Sequence, residues 1–237
     1  MLSTIGFDAD DTLWQNEAYF RLTQERFTDL LRDYSAPEDL HSRLLAAERR
    51  NLGAYGFGVK GFTLSMIETA IEVTEGRVPA HVISELLGAG RAMLDHPIEL
   101  LPHARASIEA LAGRYRLVLI TKGDLLHQER KLAQSGLGDC FDAVEIVSDK
   151  TPAVYARIFA QHGTGADEAL MVGNSMKSDV VAPIQAGAYG VYVPHGLIWD
   201  LEAAPEPKEN PRYASLPHLG ELPDFVQNLA EPDRSDS

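Results

Sequence analysis

From Pro97 onward the sequence repeats a pattern that few architectures satisfy: short, apolar, β-prone runs separated by stretches with helical spacing. The runs are Arg116–Thr121, Ala143–Val147, Ala169–Gly173 and Gly190–Val193, and a further one, Thr4–Phe7, lies near the start of the chain. The first intervening helix is opened by Pro102 and carries Ile108 and Leu111; the second spans about Leu125 to Ser135 and stops at Gly136. A third is capped by Thr151, started by Pro152 and ended by Gly163, and a fourth passes through Val180 to Gln185. Strands that alternate with helices are joined by crossovers, which place parallel strands in one sheet with helices on both faces. The expected fold class is therefore α/β, a Rossmann-like, doubly wound parallel sheet.

Residues Glu17 to Leu94 break the alternation. Phe20, Phe27, Leu30, Leu31 and Tyr34 recur along one helical face, and Phe62, Met66, Ala70 and Ile71 along another. This reads as an all-helical block at 15–97, inserted into a core made of 1–14 and 98–230. The glycine-rich stretch Gly53–Gly61 suits neither helix nor strand and is expected to be a loop. From about Ala203 the chain is Pro-rich and acidic and is expected to be irregular, with 231–237 a disordered tail. A length of 237 residues accommodates one domain plus such an insertion.

Polar groups of particular kinds follow the expected strands. Asp8 and Asp10 follow the first, Thr121 ends the second, Lys150 lies shortly after Val147, and Asn174 and Asp179 follow Gly173. In an open parallel sheet all the C-terminal strand ends lie on one edge, where ligands of such folds bind, so these groups should meet. Taken singly, each has an ordinary structural explanation: Asp starts turns, Thr caps strand ends, Lys is usually solvated and an early-helix Asp suits the helix dipole. Only the joint placement is specific.

That order resembles the haloacid dehalogenase superfamily. Its first motif, an apolar strand followed by Asp-x-Asp-x-Thr, is matched by Phe7-Asp8-Ala9-Asp10-Asp11-Thr12-Leu13. The strand-ending Ser or Thr of the second is matched by Thr121 in Leu119-Ile120-Thr121-Lys122-Gly123, and the third by Lys150-Thr151-Pro152. Gly173-Asn174-Ser175-Met176-Lys177-Ser178-Asp179 matches the fourth, with Asn174 where the family usually has Asp. The helical block falls between motifs one and two, where one branch of the family carries its cap.

The resemblance implies a Mg²⁺-dependent phosphohydrolase. Asp8 would be the nucleophile that becomes an aspartyl-phosphate, dividing one difficult displacement into two easier ones. Two residues on, and on the same side of an extended backbone, Asp10 would be the general acid and base. Mg²⁺ would be held by the Asp8 side chain, the main-chain carbonyl of Asp10, and the fourth motif through Asp179, with Asn174 as a ligand or a hydrogen-bonding neighbour of one. Thr121, the amides of Lys122 and Gly123, and the Lys150 ammonium would hold the phosphoryl oxygens. An acid at position 10 argues against a carbon–halogen substrate, because a halide leaves without a proton. A phosphomutase, a non-catalytic phosphate sensor and, through Lys60, a phosphonate-cleaving relative remain alternatives.

Elsewhere the sequence is less explicit. Tyr55, Phe57 and Lys60 read either as selectors of the leaving group or as a hydrophobic elbow with a surface lysine. Trp14, Asn16 and Glu17 either line the site or form a hinge and cap the next helix, and His195 is assigned no role. A formal net charge of −14 argues against a nucleic-acid surface, which needs a basic stripe, and points to a small phosphorylated partner. The single Cys140, an N-terminus without the features of a secretory signal and the lack of an apolar run near 20 residues suggest a cytoplasmic chain outside the membrane. Monomer and homodimer are both compatible with the sequence.

Overall fold

The computed structural model describes residues 1–197 and 199–230, so the expected tail at 231–237 lies outside the described residues. These residues gather into two compact units. One contains Met1–Gln15, Ile98–Thr121 and the chain from Arg130; the other contains Asn16–Pro97 together with Lys122–Glu129. Among the described residues no helix is long and apolar enough to cross a membrane.

The first unit is built on a six-stranded parallel sheet of β1 (Thr4–Phe7), β2 (Arg116–Lys122), β3 (Ala143–Val147), β4 (Ala169–Gly173), β5 (Tyr189–Tyr192) and β6 (Tyr213–Ser215), in the order β3-β2-β1-β4-β5-β6. Lys122, the last residue of β2, is counted with the other unit. Every residue of β1 and β4 is buried, which is why these central strands read as unbroken apolar runs. Alternate side chains go to opposite faces. Ile5, Phe7, Leu117, Leu119, Leu170, Val172 and Val191 pack with Ile108 and Leu111 of α5 (Ala104–Leu111). Val118, Ile120, Ala169 and Met171 pack with Tyr155, Ile158 and Phe159 of α7 (Pro152–His162) and with Ala182 of α8 (Ala182–Gln185). Gly6 is needed at the centre, since a Cβ there would lie 2.9 Å from Met171 Sδ. Strand order reverses between β1 and β4, the switch point at which such sheets bind ligands.

The expectation of an irregular chain from Ala203 is corrected. After residues without regular structure, β6 joins β5 in parallel, Val191 opposite Ala214, and α9 (Leu222–Ala230) buries Leu222 and Val226 against the sheet. The signal was present in the spacing of Leu219, Leu222, Val226 and Leu229, but Pro-rich composition and a three-residue strand concealed it.

The second unit consists of α1 (Glu17–Leu31), α2 (Pro37–Tyr55), α3 (Val59–Val73) and α4 (Ala80–Leu94), with the start of α6 (Leu125–Ser135). Phe27, Leu31, Leu40, Leu44, Phe62, Met66, Ala70 and Leu86 form its core. Two residues expected on the buried faces, Tyr34 and Ile71, are exposed. The expected glycine-rich loop shrinks to Gly56, Phe57 and Gly58, because α2 continues through Gly53 and α3 starts at Val59. Glycine is required at Gly56 and Gly58, whose φ values of 72° and 111° are left-handed, and at Gly61, where a Cβ would stand 2.8 Å from the Gly56 carbonyl oxygen. Asn16 precedes α1 but makes no side-chain capping bond, contrary to one of the expectations for it.

Glu48 is a buried carboxyl in this unit, and its Oε2 has no hydrogen-bond partner among the described residues. Burial, and then the charge of Glu17, push its pKa up from 4.5 to about 7. The folded chain therefore holds a proton that the unfolded chain releases at lower pH, so stability falls as pH rises from 4.5 towards 7 and levels off above. Glu48→Gln should abolish that slope and stabilise the protein at pH 8 by up to about 3 kcal/mol, measured by urea unfolding across pH. Parallel pH profiles for the two proteins would contradict this account of Glu48.

Candidate active site

Register brings the motif residues together. Phe7 pairs with Leu119 on one side and Val172 on the other, so Asp8 is level with Ile120 and Gly173, and Ala9 with Thr121 and Asn174. The Asp8 N–H continues the ladder, donating to Val172 O at 3.0 Å. Beyond it the chain turns tightly: Leu13 N–H donates to Ala9 O at 2.8 Å and Asp11 N–H to Trp14 O at 2.7 Å. Asp11 takes a left-handed φ of 61°, which Asp tolerates better than most residues.

A buried ion cluster occupies this strand edge. Lys150 Nζ donates to Asp8 Oδ1 and, at 2.8 Å, to Asp179 Oδ1. All three residues are buried. Burial by itself would lower the Lys150 pKa, but the charges of Asp179 and Asp8 outweigh it and hold the ammonium above its ordinary range. For Asp179, complete burial and the nearby Asp8 charge push the pKa up to about 7 against the opposing pull of Lys150. Its second oxygen accepts from Ser175 N–H at 3.0 Å. A Cβ at Gly173 would lie 2.4 Å from Asp179 Oδ2, which explains the glycine ending β4. Asp179 is thus engaged through both oxygens, one with the lysine and one with its own turn.

Asn174 faces the other side of Asp8. Thr12 has one hydroxyl proton, and it goes to Asp8 Oδ2 at 2.8 Å. Thr12 therefore accepts in its 3.1 Å contact with the Asn174 side chain, so the amide NH₂ faces Thr12 Oγ1 at 3.1 Å, the Asp10 carbonyl oxygen at 3.1 Å and Asp8 Oδ2 at 3.2 Å. Half a turn of that amide would put its carbonyl oxygen at the same distances from the Asp8 and Asp10 oxygens. Such spacing matches adjacent ligands of an octahedral ion with bonds of about 2.1 Å. The donor set is all oxygen, and among the described residues no group of three or more His, Cys, Asp or Glu forms a softer or more acidic alternative.

Asp10 has partners that the sequence did not reveal. Its Oδ1 accepts from Trp14 Nε1 at 2.7 Å and from Lys131 Nζ at 2.8 Å, and the Lys131 side chain is only 9% exposed. Trp14 is completely buried, so it fixes the acid from within the core. Nothing in the local pattern around Lys131 signals this long-range pair. Thr121 is buried at the neighbouring strand end.

Lys122 and Gly123, which follow Thr121, are counted with the helical unit, and there the Lys122 ammonium lies 4.0 Å from the centroid of the Phe57 ring. In that unit Lys60 pairs with Asp124 at 3.1 Å and Tyr55 donates to Glu68 at 2.6 Å. Glu17 pairs with Arg21 at 3.3 Å. His195, left without a role on sequence grounds, has its Nδ1 3.6 Å from Asp11 Oδ1.

Comparison with known proteins identifies relatives of the whole chain. The model of the haloacid dehalogenase-like hydrolases matches residues 2–187. A haloacid dehalogenase-like hydrolase from Xanthomonas campestris is 42% identical, covers 96% of this chain and 91% of its own, and superposes with a TM-score of 0.86. Glyceraldehyde 3-phosphate phosphatase of Methanothermobacter thermautotrophicus is 22% identical over 205 residues, 81% of this chain and 86% of the relative. L-2-haloacid dehalogenase from Xanthobacter autotrophicus, 22% identical with a TM-score of 0.63 over 97% of this chain and 100% of its own, shares the fold.

The ion cluster carries a direct test of its balance. Lys150→Met leaves two buried carboxyls without their cation and should cost about 3–5 kcal/mol at pH 7. That loss should shrink as pH falls and the carboxyls take up protons. Denaturant unfolding at two pH values measures it, and a pH-independent loss would mean that packing, not charge, is what Lys150 contributes.

Proposed function

This chain belongs to the haloacid dehalogenase-like hydrolase family, and from that premise we propose that it hydrolyses a small phosphomonoester with Mg²⁺, through an aspartyl-phosphate on Asp8. The observation that carries the reading is the acid at position 10, gripped by Trp14 and Lys131. A halide leaves as a stable anion and needs no proton. An alkoxide does need one, and a positioned carboxyl two residues beyond the nucleophile supplies it. The glyceraldehyde 3-phosphate phosphatase relative supports a phosphate ester as the substrate.

In this reading Thr12 and Lys150 orient the Asp8 carboxylate so that one oxygen faces phosphorus. A bond forms between that oxygen and phosphorus while the bond to the ester oxygen breaks, and Asp10, which takes up a proton as the negative charge of the substrate enters beside it and Asp8, gives that proton to the departing oxygen. Asp10 then takes a proton from water as the water oxygen attacks phosphorus, which releases phosphate and restores Asp8. Thr121 and Lys150 hold and neutralise the phosphoryl oxygens. The same role for Lys122 and Gly123 is a proposal about the loop after β2. Mg²⁺, held by Asp8 Oδ2, the Asp10 carbonyl and Asn174 Oδ1, would screen the two anions from each other. Asp179 would contribute its charge one step removed, through Lys150. A cytoplasmic setting accompanies this reading, since Cys140 is the sole cysteine.

The test compares wild type with Asp8→Asn on an aryl phosphate and a panel of sugar and small-acid phosphates, with and without Mg²⁺. Wild-type phosphate release should require the metal, and Asp8→Asn should lower it by roughly 1,000-fold or more while Mg²⁺ still binds weakly. Phosphate binding without turnover across the panel would favour a sensor. Undiminished activity in the variant would remove Asp8 as nucleophile.

A further inference from the structure

The family match ends at residue 187, yet the chain returns a carboxylate to the fourth motif from beyond that point. Glu202 closes a single 3-10 turn, Asp200–Glu202, that follows β5. Its Oε2 accepts a hydrogen bond from Ser175 Oγ at 2.5 Å and another from Ser178 Oγ. Beside it, Lys177 Nζ reaches the Leu201 carbonyl oxygen at 3.4 Å. Both serines lie between Asn174 and Asp179: Ser175 caps the π-helical segment Met176–Val181, and Ser178 lies in its first turn.

The hydrogen bonds around that turn have a fixed polarity. Ser175 Oγ accepts from Ser178 N–H at 3.1 Å, so its proton is available to Glu202. Ser175 N–H donates to Asp179 Oδ2, and the Ser178 carbonyl accepts from Tyr155 OH at 2.9 Å. Only an acceptor can satisfy both hydroxyls at one point, and a carboxylate oxygen does so with its two lone pairs. Without it the two hydroxyls lose their common anchor.

We propose that Glu202 is a positioning residue for the Asn174–Asp179 turn, and through that turn for Mg²⁺ binding. The metal part rests on the proposed function; the positioning part does not. Residues that hold metal ligands from behind alter metal affinity without touching the ion, by about 10–100-fold when removed. Asn174 brings no charge of its own, so its contribution depends on where the turn places its amide.

The experiment uses the full chain as wild type, Glu202→Ala and Glu202→Gln, with two readouts. Amide hydrogen exchange of Ser175 to Asp179 by mass spectrometry reports the turn in the absence of metal, and calorimetry with Mg²⁺ alone reports affinity. Glu202→Ala should speed exchange across this peptide and weaken Mg²⁺ binding by about 10-fold, with kcat at saturating Mg²⁺ nearly unchanged. Glu202→Gln keeps an acceptor oxygen and should recover most of both effects. Unchanged exchange in Glu202→Ala would overturn the positioning role. A Gln variant as impaired as the Ala variant would also overturn it, by showing that charge and not anchoring is what matters. If wild type binds no Mg²⁺, the metal part and the proposed function fail together, and exchange alone still decides whether Glu202 holds the turn.

Discussion

Two carboxylates sharing one buried ammonium set the terms for the rest of the core unit. Asp8 and Asp179 face Lys150 with almost no water, and a charge in that position survives only if its partner is fixed. Fixing it requires that β1, the segment after β3 and the turn after β4 reach one edge in register. The parallel sheet accomplishes this, and Gly173 leaves the space for the Asp179 side chain. The net energy of such a cluster need not be favourable. Its role is better understood as holding the Asp8 carboxylate in one orientation, at a cost that the apolar layers on both faces of the sheet offset.

Around that fixed point this chain makes particular choices. Asn174 stands where a second acid is usual, and its amide protons can satisfy the Asp8 and Asp10 oxygens that a carboxylate would repel. Lys131 and Trp14 converge on the same oxygen of Asp10, so the acid is held from a helix and from the core at once. Positive charge in the site is supplied residue by residue, against an overall charge of −14. A concentrated local arrangement of this kind attracts an anion that the whole molecule would repel.

Much of this was legible in the sequence, for physical reasons. Fully buried central strands must be apolar throughout, so β1, β2 and β4 stood out as runs, and the polar residues ending them could be placed on one edge by topology alone. β6 and α9 were missed because a short edge strand after a Pro-rich stretch leaves little periodic signal. The loop at Gly53–Gly61 is shorter than its glycine content suggests, since packing of α2 on α3 outweighs the cost of about 1 kcal/mol for a helical glycine. Lys131 and Glu202 were invisible for a different reason. Each acts across a long sequence separation, 121 residues from Lys131 to Asp10, and no local pattern encodes such a pair.

The most direct test of the central claim is where water attacks. A single turnover of a phosphomonoester in water enriched in heavy oxygen, followed by mass spectrometry of the released phosphate and of the peptide containing Asp8, separates attack on phosphorus from attack on the carboxyl carbon. The account predicts heavy oxygen in phosphate and none in the Asp8 peptide, because Asp10 directs water to phosphorus. Heavy oxygen in the Asp8 carboxyl would contradict it, since that is the outcome of an ester made at carbon and opened at the aspartate.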